Sequence, residues 1–330
     1  MEKRAVMIID VFSHVVPSNF VSALKQSDVN SEVLHDLRVM LGSSHLHDVK
    51  GRISIMEENG IDKQVVSFGQ PLMWQAIRKR EDLDRLTRIA NDGVYEFVEE
   101  EPEHFIGAAT LPILDDAQDE FDRCVKDLGM KAVQIYSNVQ GKPLDSDEFR
   151  PFFRKANDAG IPLLLHPQRG PSYPWISEYS LMGMLQWPFD TSLAMARLVF
   201  GKILEDYPNL KLIVHHHGAM VPLFPGRLAS FYDGRNAWPS SNFKTLRKSP
   251  IEYFKMFYAD TVSVGYIEPL MLACRFFGVD HVLFGTDYPF GPESGLRFLK
   301  TTLDAVRKLP ISQEDRAKIL GENAMDLLKF

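Results

Sequence analysis

The sequence predicts an α/β fold, a (β/α)8 TIM barrel with insertions at its C-terminal face, from two observations. Short apolar runs recur along the 330 residues with amphipathic helical stretches between them, which is typical of βα units rather than of hairpins. Histidines and an aspartate stand at the ends of several of these runs. In such a barrel the carboxyl ends of all strands meet on one face, so residues far apart in sequence come together there. We therefore expect one barrel domain over residues 1–330.

Eight apolar runs are predicted to form the strands of this barrel. In chain order they are Val6–Val11, Gln64–Phe68, Phe105–Thr110, Lys131–Tyr136, Ile161–His166, Lys211–His216, Met256–Asp260 and His281–Gly285. The helix before the fifth strand shows clear boundaries, because Pro151 suits a first helical turn and Gly160 suits a helix end.

Two longer stretches, residues 12–50 and 167–190, are predicted insertions after the first and fifth strands. Loops of that length at a catalytic face are usually lids or pocket walls. The second insertion is rich in proline and aromatic residues, namely Tyr173, Pro174, Trp175, Trp187 and Pro188.

The composition is that of an ordinary globular protein, with 45% hydrophobic and 25% charged residues. A formal net charge of −7 argues against a nucleic-acid or anionic-membrane partner and favours small molecules. The two cysteines, Cys124 and Cys274, cannot make a disulfide framework, so a reducing, cytoplasmic location is expected. The apolar run near the N-terminus is too short for a signal peptide, and no segment reaches the length of a membrane span.

The strand ends carry residues that bind metals. His14 follows the first strand, His166 closes the fifth, the run His215–His217 closes the sixth, and Asp287 follows the eighth. A single histidine at a strand end is most often a hydrogen-bonded structural residue, and an aspartate there can simply cap a helix. Four matched strand ends favour a metal centre instead.

Several motifs in a fixed order make a resemblance to a known family plain. They are Arg52–Asp62, Pro102–Pro112, His166-Pro167, Tyr207–Gly218, Pro225–Arg227, Tyr258–Asp260 and Phe284–Phe290. The chain resembles the amidohydrolase-2 branch of the metal-dependent amidohydrolase superfamily, whose members include aminocarboxymuconate-semialdehyde decarboxylase and the resorcylate-type aromatic acid decarboxylases. The resemblance runs nearly from end to end.

The resemblance implies one divalent metal ion, zinc in the first place and manganese as the alternative, held by His14, His166 and Asp287. It also shows a departure, because Phe12 stands where the family has a further ligand, a histidine or a glutamate. Three protein ligands with an open fourth position still suit a catalytic zinc ion. Because one ligand of the family is missing, we expect metal binding that is weakened but retained. The segment His45-Leu46-His47 in the first insertion is a possible source of a replacement ligand.

The resemblance also implies the catalytic and substrate-binding residues. By family position His216 is the general acid/base beside Asp287, although only one parity of the run His215–His217 can face the barrel axis. Arg52 and Arg227 match arginines that bind substrate carboxylates, and the counterpart of Arg227 reaches across from a second subunit. We therefore expect a homodimer or a higher homo-oligomer.

Trp187, in the second insertion, is assigned to the substrate pocket. These parts support non-oxidative decarboxylation of a small aromatic or enol-type carboxylic acid. The same parts hydrolyse a lactone, an amide or a C–C bond if water attacks a carbonyl instead. A metal-free degenerate barrel that only binds a ligand is the non-enzymatic alternative. The sequence does not identify the substrate.

Overall fold

Eight parallel strands form the centre of the computed structural model, which describes residues 6–29, 44–69, 74, 76–112, 114–170, 174–237, 243–262 and 264–330. Each strand pairs with the next one along the chain. The strands are β1 (Ile9–Val15), β2 (Lys63–Phe68), β3 (Phe105–Thr110), β4 (Ala132–Tyr136), β5 (Leu163–His166), β6 (Leu212–Val214), β7 (Tyr258–Asp260) and β8 (Val282–Leu283).

The last strand and the segment after it return to β1 and close the ring. The Val11 amide donates to the Phe284 carbonyl at 2.8 Å, and the Asp287 amide donates to the Phe12 carbonyl at 2.9 Å. The predicted barrel is thereby confirmed. Alternating crossovers place all strand carboxyl ends at one mouth, which is where the predicted site residues lie.

The helices surround the strands and, among the described residues, are α1 (Ser18–Leu24), α2 (Val49–Asn59), α3 (Arg80–Glu100), α4 (Gln118–Asp122), α5 (Arg150–Ala159), α6 (Trp187–Phe200), α7 (Ile203–Asp206), α8 (Pro225–Asp233), α9 (Pro250–Phe254), α10 (Ile267–Phe277), α11 (Leu296–Lys308), α12 (Gln313–Ala317) and α13 (Asn323–Leu328). As expected, Pro151 lies in the first turn of α5, and Gly160 caps this helix in the left-handed region at φ 66°. No helix in the described ranges is both long and apolar enough to cross a bilayer.

The first strand is displaced from its predicted position. Val6–Val11 was expected, whereas β1 runs over Ile9–Val15 and includes His14 within the barrel wall. The apolar residues at the start of the predicted run are exposed, Val6 by 44%. The register of β1 against β2 shifts between Asp10 and Ser13, so the strand pairing is irregular just before the site.

The apolar core has two parts. One cluster lies between the strands and the surrounding helices, and a smaller one fills the barrel interior. Leu327 and Leu328 of α13 belong to the interior cluster. In the second insertion, the described residues 174–186 form helical turns that lead into α6, while Tyr173 lies outside the described residues.

Candidate active site

Three side chains that could hold a metal ion meet at the barrel mouth. One ligand atom each from His14, His166 and Asp287 lies within 4.8 Å of the other two. His14 comes from β1, His166 ends β5, and Asp287 follows β8, so the barrel geometry joins residues 273 positions apart. The His14 Nε2 to Asp287 Oδ1 distance is 3.1 Å.

Close packing holds the two imidazoles in place. His166 Nδ1 donates to the Pro167 carbonyl at 2.6 Å, which leaves Nε2 as the nitrogen with a lone pair. His14 Nδ1 lies 3.2 Å from Ser67 Oγ. A Cβ on Gly69 would lie 2.6 Å from the His14 Cβ, so only glycine lets β2 end this close to the ligand.

The protonation states suit metal binding. Burial lowers the pKa of His14 and lowers that of His166 further, so both imidazoles are neutral at pH 7. Burial alone would raise the pKa of Asp287, but the His14 and His215 imidazoles beside it hold it well below its usual range. Neutral imidazoles and an ionised carboxylate are the forms that bind a divalent cation. The residues present therefore fit such an ion.

Phe12 fills the space where the resemblance implied a further ligand. Its side chain is fully buried, and its ring stacks on His215 with 4.0 Å between the centroids and 15° between the planes. The ring also meets His14 edge-on at 5.4 Å. A phenyl ring has no donor atom for a cation, so at this position the chain has an apolar wall. Neither His45 nor His47 joins the cluster of described ligands, since His45 Nδ1 lies 3.0 Å from the Tyr288 hydroxyl and His47 is exposed.

The histidine run at the end of β6 places His215 in the site. His215 Nδ1 makes a short hydrogen bond with Asp260 Oδ2, and His215 Nε2 lies 3.6 Å from Asp287 Oδ1. His216, the residue that family position implied, has a positive φ of 57° and a pKa lowered well below its usual value by burial. Its buried Nδ1 has no hydrogen-bond partner among the described residues. The imidazole that bonds Asp260 and lies 3.6 Å from Asp287 is therefore that of His215, and the role of His216 stays a prediction.

Asp260 is a site residue to which sequence reasoning assigned no role. It ends β7 and is fully buried. Besides bonding His215, its Oδ1 accepts from the backbone amides of His217 and Val262, both at 3.1 Å. Its position at a strand end, like those of His14 and His166, was the signal that could have found it.

Arg52 lies buried beneath the segment that carries His14. Its guanidinium is fully buried and donates to Gln64 Oε1 at 3.1 Å, to the His14 carbonyl at 2.5 Å and to the His45 carbonyl at 2.9 Å. It also lies over the Tyr288 ring at 4.9 Å. Burial lowers the pKa of Arg52 to about 10. These acceptors belong to the protein, so Arg52 supports the segment that carries His14. Its Nε has no hydrogen-bond partner among the described residues, and its binding of a substrate carboxylate stays a prediction.

Trp187 and Arg227 lie in different surroundings. Trp187 begins α6, and its half-buried ring lies edge-on to the His166 ring with 6.4 Å between the ring centres. Its buried indole N–H has no hydrogen-bond partner among the described residues. Arg227 is exposed on α8, where its guanidinium lies 4.6 Å from the centre of the Phe231 ring. It lines an apolar cleft of about 590 Å³, and none of the three metal-ligating residues lines this cleft.

Comparisons with known proteins identify the family of this chain. The amidohydrolase family model matches residues 34–330. A gamma-resorcylate decarboxylase of Polaromonas sp. (strain JS666) is 32% identical, over 87% of this chain and 89% of that protein. A 2-amino-3-carboxymuconate-6-semialdehyde decarboxylase of Dictyostelium discoideum is 28% identical, over 97% of this chain and 91% of that protein. A solved dihydroxybenzoic acid decarboxylase from Polaromonas sp. JS666, with bound manganese and the inhibitor 2-nitroresorcinol, matches with a TM-score of 0.78 and 27% identity, over 98% and 97% of the two chains.

Proposed function

The chain belongs to the amidohydrolase family, and from this premise we propose that it catalyses the non-oxidative decarboxylation of a small aromatic or enol-type carboxylic acid. The observation that carries the proposal is the meeting of three metal-ligating side chains with the His215–Asp260 pair at one barrel mouth. Relatives named as decarboxylases of such acids support the choice of reaction.

His14, His166 and Asp287 would hold one divalent ion. Two imidazole nitrogens and a carboxylate oxygen are a usual ligand set for catalytic zinc, which keeps a further position open. Manganese is the alternative, supported by the solved relative that binds it. A divalent ion held by these residues would supply Lewis-acid polarisation of the substrate oxygens and would help to orient them.

His215 is the proton donor of the proposed reaction. Burial alone lowers the pKa of His215, and the Asp260 carboxylate beside it raises that pKa to about 9, so the ring is protonated at pH 7. Because Asp260 holds Nδ1, Nε2 is the nitrogen that faces the substrate. The Nε2 proton moves to the carbon that bears the carboxylate. The C–C bond then breaks, its electron pair returns to the ring or enol system, and CO2 leaves.

Product analysis tests the reaction class. Purified protein is incubated with 2,6-dihydroxybenzoate and related hydroxybenzoates, and released CO2 is measured together with the aromatic product by mass spectrometry. Equal amounts of CO2 and of the decarboxylated ring are expected. A product heavier than the substrate by one water would indicate hydrolysis, and metal-replete protein that binds such acids without turnover would indicate the degenerate binding barrel.

A homo-oligomer is the proposed assembly, with the apolar cleft on α6 and α8 as its contact surface. Phe189 is 50% exposed and Leu193 47%, and Phe224 and Phe231 are exposed by 43% and 42%. Monomeric proteins rarely expose so many large apolar side chains together, and Arg227 lies among them. A second copy covering this surface would carry the partner's Arg227 toward the site of its neighbour. The cytoplasm remains the proposed location, because two cysteines make no disulfide framework.

Mixing two inactive variants tests the shared site. Arg227→Ala and Asp287→Ala proteins are combined and assayed after subunit exchange has been verified by mass spectrometry. Activity should reappear, because some mixed sites contain both an intact metal set and an intact arginine. No recovery despite exchange, or a fully active monomer by light scattering, would rule out the shared site.

A further inference from the structure

A chain of buried side chains leads from His14 into the barrel wall. It consists of Ser67 on β2 and of Gln134 and Tyr136 on β4, and none of these residues is more than 1% exposed. Ser67 Oγ lies 3.2 Å from His14 Nδ1 and 2.7 Å from Gln134 Oε1. Gln134 Nε2 continues the chain to the Tyr136 hydroxyl at 2.9 Å. The proposed reaction does not use these groups.

The direction of each hydrogen bond follows from one backbone carbonyl. Gln134 Nε2 lies 2.8 Å from the Phe68 carbonyl oxygen, which can only accept, so the amide orientation is fixed with Oε1 toward Ser67. The single Ser67 hydroxyl hydrogen goes to Gln134 Oε1, because the other acceptor in reach, the Ser13 carbonyl, is farther away at 3.3 Å. Ser67 Oγ must then accept from His14, whose Nδ1 carries the hydrogen.

The far end of the chain is directed in the same way. The Tyr136 hydroxyl oxygen accepts from Gln134 Nε2 at 2.9 Å and from the Trp74 indole N–H at 2.8 Å. Its own hydrogen therefore goes to Thr110 Oγ1, also at 2.8 Å. Gln134 keeps its orientation without Tyr136, however, because the Phe68 carbonyl alone is enough to fix the amide.

We propose that Ser67 and Gln134 are positioning residues that lock His14 in the tautomer with hydrogen on Nδ1, so that the Nε2 lone pair always faces the metal position. This inference rests on the proposed metal centre. In this tautomer His14 Nε2 and Asp287 Oδ1 are both acceptors and lie 3.1 Å apart. Two acceptors at this distance repel each other, and a cation bound by both would remove that repulsion. Residues behind a ligating histidine commonly contribute to affinity in this way.

Metal affinity in a double-mutant cycle tests the proposal. Ser67→Ala, Gln134→Leu and the double variant are compared with the parent by zinc titration against a chelator and by melting of the metal-free protein. Each single variant should bind zinc about 10–100-fold more weakly. In Gln134→Leu the Ser67 hydroxyl has two acceptors left, the Ser13 carbonyl at 3.3 Å and His14 Nδ1 at 3.2 Å, and donation to Nδ1 moves the imidazole hydrogen to Nε2. The double variant should therefore bind no more weakly than Ser67→Ala.

Tyr136→Phe separates positioning from general support. It leaves the Trp74 N–H without its acceptor and should lower the melting temperature, yet zinc affinity should stay within about twofold of the parent. Thr87→Val, which removes a buried hydroxyl that donates to the Leu83 carbonyl on α3, is the control for deleting a hydroxyl elsewhere. Parent-like affinity in Ser67→Ala, multiplying effects in the double variant, or affinity that follows melting temperature in all variants would overturn the inference. A parent that binds no ion would overturn the metal centre itself.

Discussion

The two sides of the barrel mouth differ in how their buried polar groups are satisfied. On the β1 side, defined by Asp10, Arg52, Gln64 and Thr286, the Asp10 carboxylate accepts from the Gln64 amide, the Thr286 hydroxyl and two backbone amides. On the α6 side, defined by Gln186, Trp187 and Thr191, each residue has a buried polar atom without a hydrogen-bond partner among the described residues.

This difference separates scaffold from binding surface. An unpaired buried polar group costs about 1–3 kcal/mol, so folding alone does not explain why the α6 side retains several. A ligand that completes these hydrogen bonds gains binding free energy, because its partners have no hydrogen bonds to give up within the protein. Of the four residues that define the β1 side, only Arg52 retains a buried polar atom without a described partner, its Nε, and this side holds His14 and Phe12 in place. The α6 side is the part of the mouth that we expect to bind and recognise the substrate.

The largest effect is expected at the metal cluster, where both sides meet. Asp287→Ala should remove the bound ion and lower kcat/KM by a factor on the order of 10⁴, about 5 kcal/mol of transition-state stabilisation. His166→Ala should behave alike, because each variant leaves only two protein ligands. Metal content by plasma mass spectrometry and turnover are measured together, with about one ion per chain expected in the parent. Asp84→Ala, at an exposed site on α3, is the control. Full metal content in Asp287→Ala would contradict the ligand set.

The next effect separates two neighbouring histidines. His215→Ala should lower kcat by about 10²–10⁴ with the ion retained, as expected for loss of a general acid. His216→Ala should change kcat by less than about tenfold, because the His216 ring makes no hydrogen bond to Asp260 or Asp287 among the described contacts. A larger loss of kcat in His216→Ala than in His215→Ala would support the general acid/base role that the resemblance implied for His216. Loss of metal in His215→Ala would make His215 a ligand.

Arg52→Met tests whether the β1 side is scaffold. The substitution leaves the His14 and His45 carbonyls without their buried donor, so the free energy of unfolding should fall by about 3–5 kcal/mol. KM of the protein that remains folded should stay near the parent value. Urea unfolding and kinetics at low temperature measure the two quantities, and Arg88→Met, at a half-exposed arginine, is the control. A large rise in KM with unchanged stability would return Arg52 to the substrate site.

The sequence predicted the residues whose positions the barrel topology dictates. His14, His166 and Asp287 come together because strand ends converge, whatever the loops do. Alternation could not rank the residues of His215–His217, because β6 ends at Val214 and beyond a strand end side chains no longer alternate. The burial of Arg52 depends on how α2 packs against β1, a tertiary contact that local sequence does not encode. The start of β1 was misplaced because the apolar run begins at Val6, before the strand itself begins at Ile9.

Phe12→His would add a fourth protein ligand to the metal site, from strand β1. The Phe12 ring centre lies 5.4 Å from that of His14 and 5.8 Å from that of His166, so an imidazole there should reach the same ion. Zinc binding should tighten at least about tenfold, or about 1.4 kcal/mol. The metal-free protein should be destabilised by about 1–3 kcal/mol, because the new imidazole has no partner until the ion binds. Phe12→Leu is the apolar control. Unchanged affinity in a chelator competition would mean that the ion does not lie within reach of residue 12.

The smallest effect is expected on the α6 side, and it bears most directly on the comparison. Trp187→Phe removes the indole N–H and keeps an aromatic ring beside His166. If the N–H is left for the substrate, kcat/KM should fall about fivefold, near 1 kcal/mol, mainly through KM. The free energy of unfolding should stay the same or rise slightly, because the folded protein loses an unpaired donor. Lower stability with unchanged KM would show that the N–H already has a partner within the protein, and the α6 side would then be scaffold as well.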